Sequence, residues 1–228
     1  MKQAVGIPQE GLKVLACVSM LIDHIGCVFF PQAYWMRAIG RMAFPIYCML
    51  LAEGVHFTHS PKQYLFRLLI GAILSELPFD FAFKGRIYTV SQSVMVTMLL
   101  GAFALTAVKF SGSVWPGLVV CAACTALAEI MDTDYGGLGV MLILLFGLTR
   151  ELPHARLLQL AGMAVICWAM NSFRITLLGM RIPIEMFALP AMIPISAYSG
   201  QKLTRSRTVQ AAFYLFYPVH LSIIAALR

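Results

Sequence analysis

Charged side chains are scarce in this sequence. Only 12% of its 228 residues are Asp, Glu, Lys or Arg, whereas 60% are hydrophobic, and the mean hydropathy is +0.82. A water-soluble domain of this composition would lack the polar side chains needed to cover its surface. The composition therefore excludes an ordinary soluble protein and indicates an integral membrane protein.

The sequence also lacks any cluster of basic residues. Its 17 Lys and Arg outnumber its 10 Asp and Glu, for a net charge of +7, but they are scattered singly between apolar runs. A nucleic-acid-binding surface needs basic side chains grouped on one face or along one helix. We therefore expect the lipid bilayer, and no nucleic acid, as a partner.

Linkers, low-complexity tracts and internal repeats are absent as well, so we predict a single domain over residues 1–228. No Ala-x-Ala cleavage site follows the first apolar stretch, which we therefore keep as a membrane helix and not a signal peptide.

The Cys121-Ala-Ala-Cys124 spacing is that of a redox pair. Because no basic residue, His or βαβ pattern accompanies it, we interpret it as two apolar residues, and we expect neither a metal nor a bound cofactor.

Long apolar runs are what the sequence does contain, and they predict an all-α, polytopic transmembrane helical bundle. A window of about 20 residues finds about nine membrane segments. They cover residues 12–30, 35–56, 64–83, 92–109, 114–131, 136–150, 154–171, 184–198 and 209–227. The sixth and eighth are short, which is typical of a tilted or re-entrant segment.

The basic residues of the short loops predict a cytoplasmic N-terminus. With that orientation the cytoplasmic side holds ten of them: Lys2, Lys13, Lys62, Arg67, Lys109, Arg150, Arg156, Lys202, Arg205 and Arg207. The other side holds seven: Arg37, Arg41, Lys84, Arg86, Arg174, Arg181 and Arg228. An odd number of segments then places the C-terminus outside.

The first segment carries three polar side chains that are costly inside a bilayer: Lys13, Asp23 and His24. Eleven residues at about 100° each bring Lys13 and His24 to one helix face, ~16 Å apart along the axis. Asp23 lies to the side by about 100°, where it can meet a neighbouring helix or orient the imidazole. Such residues normally face a protein interior or a wet cavity and mark a functional site.

Other polar residues interrupt the second and third segments. Arg41 follows Gly40 and precedes Pro45, which frees a backbone carbonyl and kinks the helix; the guanidinium either extends to lipid head groups or meets an anionic partner. Glu53 ends the second segment. In the third, Glu76 and Asp80 share one face and repel each other unless a cation, a proton or a basic group lies between them. Arg67 is about half a turn away and cannot serve.

The remaining candidates lie further along the chain. Gln92 opens the fourth segment as a hydrogen-bonding group typical of helix contacts in lipid. Asp134 precedes a glycine-rich turn, which is not a phosphate loop because no strand precedes it and no Lys follows. Tyr217 and His220 share a face of the last segment, on either side of Pro218, so the chain has a second imidazole within a predicted span.

These blocks, in this order, resemble the TraX family. They are Leu12-Lys13, Met20 to His24, Ile39 to Pro45, Glu53-Gly54, Tyr64 with Arg67, Ser75 to Asp80, Gln92 with Thr97, Asp134 to Gly137 and Phe213 to His220. The family is named for a membrane protein that acetylates the N-terminus of pilin, and it is similar to the wider group of polytopic acyltransferases. In that group an Arg, ten intervening residues and a His on the first helix are tied to catalysis; here Lys13 and His24 occupy the two positions.

The resemblance implies a multi-pass enzyme of the bacterial inner membrane. It would move an acyl group, as in acetylation, from cytosolic acyl-CoA as co-substrate to an amine or hydroxyl of a pilin-like protein or glycan. We expect His24 as the general base, with Asp23 or Glu53 fixing its tautomer. Lys13, Arg41, Glu53, Tyr217 and His220 would bind substrate, whereas Arg67, Glu76, Asp80, Gln92 and Asp134 would be structural polar groups.

Two other classes of protein fit the same residues. A proton-coupled transporter or channel would use Asp23, His24, Glu76, Asp80 and His220 as a relay. A noncatalytic assembly factor would show neither acyl transfer nor proton movement, and a partner would co-purify with it.

Overall fold

The computed structural model is a bundle of helices with one short hairpin, described for residues 6–111, 113–170, 173–177, 179–204 and 206–228. The α-helices are α1 (Gln9–Phe29), α2 (Tyr34–Gly40), α3 (Ala43–Phe57), α4 (Pro61–Lys84), α5 (Val94–Phe110), α6 (Val114–Ile130), α7 (Gly136–Thr149), α8 (Ala155–Ala169), α9 (Met192–Ser196) and α10 (Arg207–Leu227). A 3₁₀ helix covers Ile184–Ala191 and leads into α9. The basic residues Lys2 and Arg205, and the end of the seventh predicted segment at Asn171, lie outside the described residues.

The expected all-α class is confirmed, and each of the nine predicted segments coincides with helical structure. In the described chain, three helical stretches are long and apolar enough to cross a membrane: Gln9–Phe29, Tyr34–Phe57 and Arg207–Leu227. Shorter apolar helices make up most of the remainder. The protein is therefore a helical membrane protein, and nine crossings with a cytoplasmic N-terminus remain a prediction.

A two-stranded hairpin, which the sequence analysis did not predict, precedes the 3₁₀ helix. Strand β1 (Arg174–Leu177) pairs antiparallel with β2 (Met180–Pro183), so that Arg174 lies opposite Pro183. A hydropathy window as long as a membrane segment does not detect strands of four residues, because they are far shorter than the window.

Helix α2 and helix α3 form one stretch that is broken at Arg41 and Met42. The sequence predicted a kink from Pro45, and the break lies where that proline acts. A proline ring collides with the carbonyl of the residue four positions earlier, which here is Arg41. Pro45 itself falls in the first turn of α3, where its missing N–H costs no helical hydrogen bond.

Hydrogen bonds between loops and helix ends show which helix ends lie at the same end of the bundle. At the near end, Ile7 donates its backbone N–H to Ala197 over 2.8 Å, and Lys109 at the end of α5 donates to the His56 carbonyl over 2.7 Å. At the far end, the Arg228 guanidinium donates to the Ala82 carbonyl over 3.0 Å. Successive helices therefore run back and forth between a near end, which holds the start of α1, and a far end, which holds the end of α10.

Helix α7 is the centre of the main core. It is apolar on all sides and packs against α3, α5, α6 and α8, as expected for a helix without a solvent face. Gly147 of α7 lies against Leu105 of α5 so closely that a side chain there would overlap it. Helices α1, α4 and α10 form a second, smaller cluster beside this core, and the candidate site lies between the two.

Candidate functional site

A cavity of about 680 Å³ lies between α1, α2, α3, α4 and α10. Along α1 its wall is one stripe of residues: Gln9, Lys13, Met20, Asp23, His24 and Cys27. Eighteen residues of α-helix span about 27 Å, close to the thickness of the hydrocarbon core of a bilayer. The cavity thus extends along nearly all of α1, and Lys13 and His24 share its wall as their spacing predicted.

His24, which lines the cavity, contacts a second histidine, His220, which is buried behind the cavity wall and is not placed to bind substrate as predicted. Nδ1 of His24 on α1 lies 2.7 Å from Nε2 of His220 on α10, and the two rings are nearly parallel. Nδ1 of His220 lies 2.7 Å from the carbonyl oxygen of Phe216, one turn earlier on the same helix. His24 therefore takes its hydrogen-bond partner from α10. The expectation that Asp23 or Glu53 would hold this ring is not what the structure contains, because both carboxylates have other partners.

Aromatic rings surround the two histidines. The His24 ring meets Phe83 of α4 edge-on at 5.1 Å and Tyr217 at 6.1 Å, and Phe216 stacks on His220 at 4.8 Å. Tyr217 also lines the cavity. These rings restrict the orientation of both imidazoles.

Asp23 joins a buried network of ion pairs instead. Its Oδ2 lies 2.6 Å from Nη2 of Arg41 and 3.0 Å from Nη1 of Arg37. Nη1 of Arg41 in turn lies 3.1 Å from Oε1 of Glu185 in the 3₁₀ helix. The Asp23, Arg41 and Glu185 side chains are only 8–9% exposed. Asp23 therefore meets a neighbouring helix and does not orient the imidazole. Arg41 meets anionic partners and does not extend to lipid head groups.

Gly40 is what allows this approach of α1 and α2. A β-carbon on Gly40 would overlap the Asp23 side chain. Only glycine leaves room for the carboxylate to lie across the start of the second segment, beside Arg37 and Arg41.

The near end of the cavity is basic. Lys13, Arg67 and Lys202 line it, and none of the three is in an ion pair with a carboxylate in the described part of the chain. The Lys13 ammonium lies over the Phe213 ring at 5.2 Å, and the Arg67 guanidinium lies over Tyr64 at 5.7 Å. The carboxylate here, Glu53, is neutralised by Arg150, whose Nε lies 2.7 Å from it.

Two of the predicted structural polar groups, Glu76 and Asp80, bind the backbone of a connection, whereas a third, Arg67, lines the cavity instead. Glu76 accepts from the backbone N–H of Ser93 at 3.1 Å and from its hydroxyl at 2.6 Å, and Asp80 accepts from the N–H of Tyr88 at 2.8 Å. The sequence analysis required a cation, a proton or a basic group between the two carboxylates; in the structure each carboxylate has its own hydrogen-bond donors instead, and these fasten the α4–α5 connection.

Gln92 and Asp134 are brought together, as members of one backbone bridge. Gln92 donates its N–H to the Asp132 carbonyl over 3.1 Å, and Asp134 donates its N–H to the Gln92 carbonyl over 2.9 Å. The Asp134 side chain lines the far part of the cavity. Asp134 is accessible from the cavity, but the surrounding protein screens it from bulk water, and this desolvation, only partly offset by Arg41, raises the pKa of the carboxyl to about 6.

The sequence analysis missed three residues of the site: Arg37, Glu185 and Lys202. A signal was available, because Glu185 is an isolated carboxylate at the start of an otherwise apolar predicted segment. In the described residues no group of three or more His, Cys, Asp or Glu side chains could hold a metal ion.

Comparisons with known proteins identify relatives along the whole chain. Over 234 residues, covering 95% of this chain and 94% of the relative, it is 25% identical to the probable fimbrial assembly protein FimC, serogroup H1, of Dichelobacter nodosus. It is 33% identical over 93 residues to an uncharacterized protein of Rickettsia prowazekii (strain Madrid E), a match covering 41% of this chain and 34% of that protein. No solved structure matches the chain. Because the family model described as TraX protein matches residues 8–228, this chain belongs to the TraX family.

Proposed function

We propose that this protein is an acyltransferase of the bacterial inner membrane, multi-pass, with its near end in the cytoplasm. It moves an acyl group, acetyl in the simplest case, from cytosolic acyl-CoA to an amine or hydroxyl of an envelope-associated acceptor. The observation that carries the proposal is His24: a hydrogen-bonded imidazole in the wall of a membrane-length cavity whose near end is basic.

The near end supports the donor part of the proposal. Acyl-CoA carries phosphates, and Lys13, Arg67 and Lys202 are cations that line the cavity there without carboxylate partners among the described residues. Aromatic side chains beside them, Phe213 and Tyr64, offer faces for a nucleobase. A cavity of about 680 Å³ is also within the usual range of small-molecule sites.

His24 supplies the chemistry. Its free imidazole nitrogen accepts the proton of the acceptor as the amine or hydroxyl attacks the thioester carbonyl. The C–S bond then breaks, and the thiolate of CoA takes that proton from the imidazolium. Tyr217, beside the His24 ring, is the group we assign to the oxyanion, because both Nη atoms of Arg41 are held by carboxylates.

The acceptor follows from relatives and from the shape of the cavity. The Dichelobacter nodosus relative is described as a probable fimbrial assembly protein, which favours a pilin-like protein, with an envelope glycan as the second choice. The cavity extends past His24 toward Cys27, Arg37 and Lys84 at the far end. An acceptor outside the cytoplasm can therefore approach from that end while the donor occupies the near end.

The competing proton relay gains little support. Of its five groups, His24 and His220 are in contact, but Asp23 is held by two guanidinium groups. Glu76 and Asp80 bind backbone N–H groups of the α4–α5 connection. A proton path needs neighbouring groups that exchange protons, and these three carboxylates have other partners.

The test is acyl transfer by the purified protein in lipid nanodiscs, with labelled acetyl-CoA and extracted envelope proteins or glycans. We expect acceptor-dependent release of CoA, and a fall of about 10²- to 10⁴-fold for His24→Ala and His24→Gln. The exposed loop variant His59→Gln is the matched control. Full activity of well-folded His24→Ala protein would rule out His24 as the general base. Collapse of a pH gradient in proteoliposomes without acyl transfer would favour the transporter.

A further inference from the structure

The hydrogen bonds of the two histidines determine which nitrogen carries each proton. His220 Nδ1 faces the carbonyl oxygen of Phe216, which can only accept, so this nitrogen is the N–H donor. In a neutral ring Nε2 is then an acceptor, and it lies 2.7 Å from Nδ1 of His24. Two acceptors cannot bond, so Nδ1 of His24 must carry a hydrogen and donate it.

The same bonds decide which nitrogen of His24 remains available. With Nδ1 protonated, the neutral His24 ring has its lone pair on Nε2. No hydrogen bond from a described residue occupies that atom, and His24 lines the cavity.

From this geometry we infer that His220 is a positioning residue, which holds His24 in the Nδ1–H tautomer and leaves Nε2 as the base. The inference rests on the proposed function for its catalytic consequence, but the tautomer itself is independent of any activity. His220 takes the place that a carboxylate occupies in a Ser-His-Asp arrangement, and the Phe216 carbonyl takes the place of the group that orients the carboxylate.

The pair also accommodates the proton during transfer. When Nε2 of His24 takes the proton of the acceptor, the imidazolium keeps its Nδ1–H bond to His220 Nε2. The proton then leaves from Nε2 to the CoA thiolate, so that neither histidine gains or loses a proton over one cycle.

The charged and titratable neighbours do not replace His220 in this role. Arg37 and Arg41, from the α2 side, are held by Asp23, and Tyr217 meets the His24 ring by its edge. Lys84 of α4 lines the far part of the same cavity, and Lys has no acceptor atom to offer to an N–H group.

The direct test is nitrogen NMR of histidine-labelled protein in lipid bilayers, at a pH where both rings are neutral. In the wild type we expect His24 with a protonated Nδ1 and a bare Nε2, and a scalar coupling across the N–H···N bond to His220. In His220→Leu the coupling disappears and His24 is no longer confined to one tautomer. A wild-type His24 protonated on Nε2, or an unchanged tautomer in His220→Leu, would overturn the inference.

Kinetics test the consequence. We expect His220→Leu to lower kcat by about 10²-fold, while KM for acyl-CoA stays within about twofold. His220→Gln, whose amide oxygen can still accept from His24, should stay within about tenfold of wild type. Equal losses in the two variants, or full kcat in His220→Leu, would contradict the positioning role. If the wild type transfers no acyl group, the proposed function fails, and NMR still decides the tautomer.

Discussion

Arg41 connects two carboxylates from distant parts of the chain. Asp23 belongs to α1 and Glu185 to the 3₁₀ helix, and Arg41 lies between them at the break of the second segment. A planar guanidinium with donors on two nitrogens suits this role, and a Lys ammonium does not. Because the three groups are buried, each depends on the others for compensation of its charge.

We expect Arg41→Leu to destabilise the protein by about 3–5 kcal/mol, because it leaves Glu185 buried without a cation and Asp23 with Arg37 alone. Thermal unfolding in detergent measures the loss. Arg37→Leu is the matched control: Arg37 is 28% exposed and shares Asp23 with Arg41, so its loss should cost about 1 kcal/mol or less. Glu185→Gln added to Arg41→Leu should recover part of the stability. Equal effects of Arg37→Leu and Arg41→Leu would contradict the network.

The titration of the Asp134 carboxyl makes the free energy of unfolding depend on pH. Its pKa of about 6 in the folded protein exceeds the ordinary Asp value of 3.8, so between these values the folded state keeps a proton that the unfolded state has lost. Stability contributed by this group is therefore present at low pH and is lost as the pH rises from about 4 to about 6.

We therefore expect Asp134→Asn to remove this pH dependence. The unfolding midpoint of the wild type, measured against that of Asp134→Asn, should fall across this window and become constant above about pH 7. Midpoints recorded at several pH values in the same detergent test it. A difference between the two proteins that does not vary with pH would show that Asp134 titrates normally.

A polar residue that is costly inside a bilayer can be recognised from the sequence, but the residue that pairs with it cannot. The helical period correctly placed Lys13 and His24 in one cavity wall, and Asp23, expected to the side, also lines that cavity while it pairs with Arg37 and Arg41. It could not choose the helix that faces them, because the angle round an isolated helix carries no information on its neighbours. His220 lies 196 positions from His24, and Glu185 lies 144 positions from Arg41, so only three-dimensional packing could pair them.

Among the elements, the pair α1 and α2 depends most on a small residue. The two helices cross at Gly40, and an added methyl group there would displace the Asp23 side chain from Arg41. Interior glycines of α-helices otherwise cost stability relative to alanine. A glycine kept at this position is therefore explained by packing.

We expect Gly40→Ala to lower the unfolding midpoint and to lower activity with it, because Asp23 must move. The control is Gly71→Ala in α4. A methyl group on Gly71 meets only the terminal methyl of Met95 at 2.8 Å, a flexible end that can move aside. Gly71→Ala should leave stability unchanged or raise it by up to about 1 kcal/mol. Comparable losses from both substitutions would mean that close approach at Gly40 is not the cause.

The elements themselves followed from apolar runs and from proline. Each predicted segment coincides with helical structure, and the break in the second one falls four residues before Pro45. The hairpin of β1 and β2 was missed because it is short and is held by pairing between its own strands. Hydropathy also could not separate the central α7 from its neighbours, since lipid and protein interior are equally apolar.

At the scale of the whole molecule, the cavity has two chemically different ends. The near end carries Lys13, Arg67 and Lys202, which have no carboxylate partner in the described chain, whereas Arg37 and Arg41 beyond His24 are paired with Asp23. The loop charges predict that the near end is cytoplasmic, which is where the proposed acyl-CoA donor would enter.

We expect Lys13→Gln and Arg67→Gln each to raise KM for acyl-CoA by about 3- to 10-fold, with little change in kcat, and the effect to shrink at high salt. A short thioester donor without the nucleotide should show no such difference. Lys62→Gln is the matched control, because Lys62 is exposed on the same helix as Arg67 but does not line the cavity. An equal rise in KM for Lys62→Gln, or for the short donor, would remove the phosphate assignment.

The contact between His24 and His220 joins the first helix of the bundle to the last. During synthesis and membrane insertion, the His24 ring has no partner until α10, which carries His220, is made. Interrupted synthesis, or proteolytic removal of α10, would leave His24 without its partner and Lys13 without the ring of Phe213. If the proposed transfer reaction is correct, such fragments are expected to transfer no acyl group.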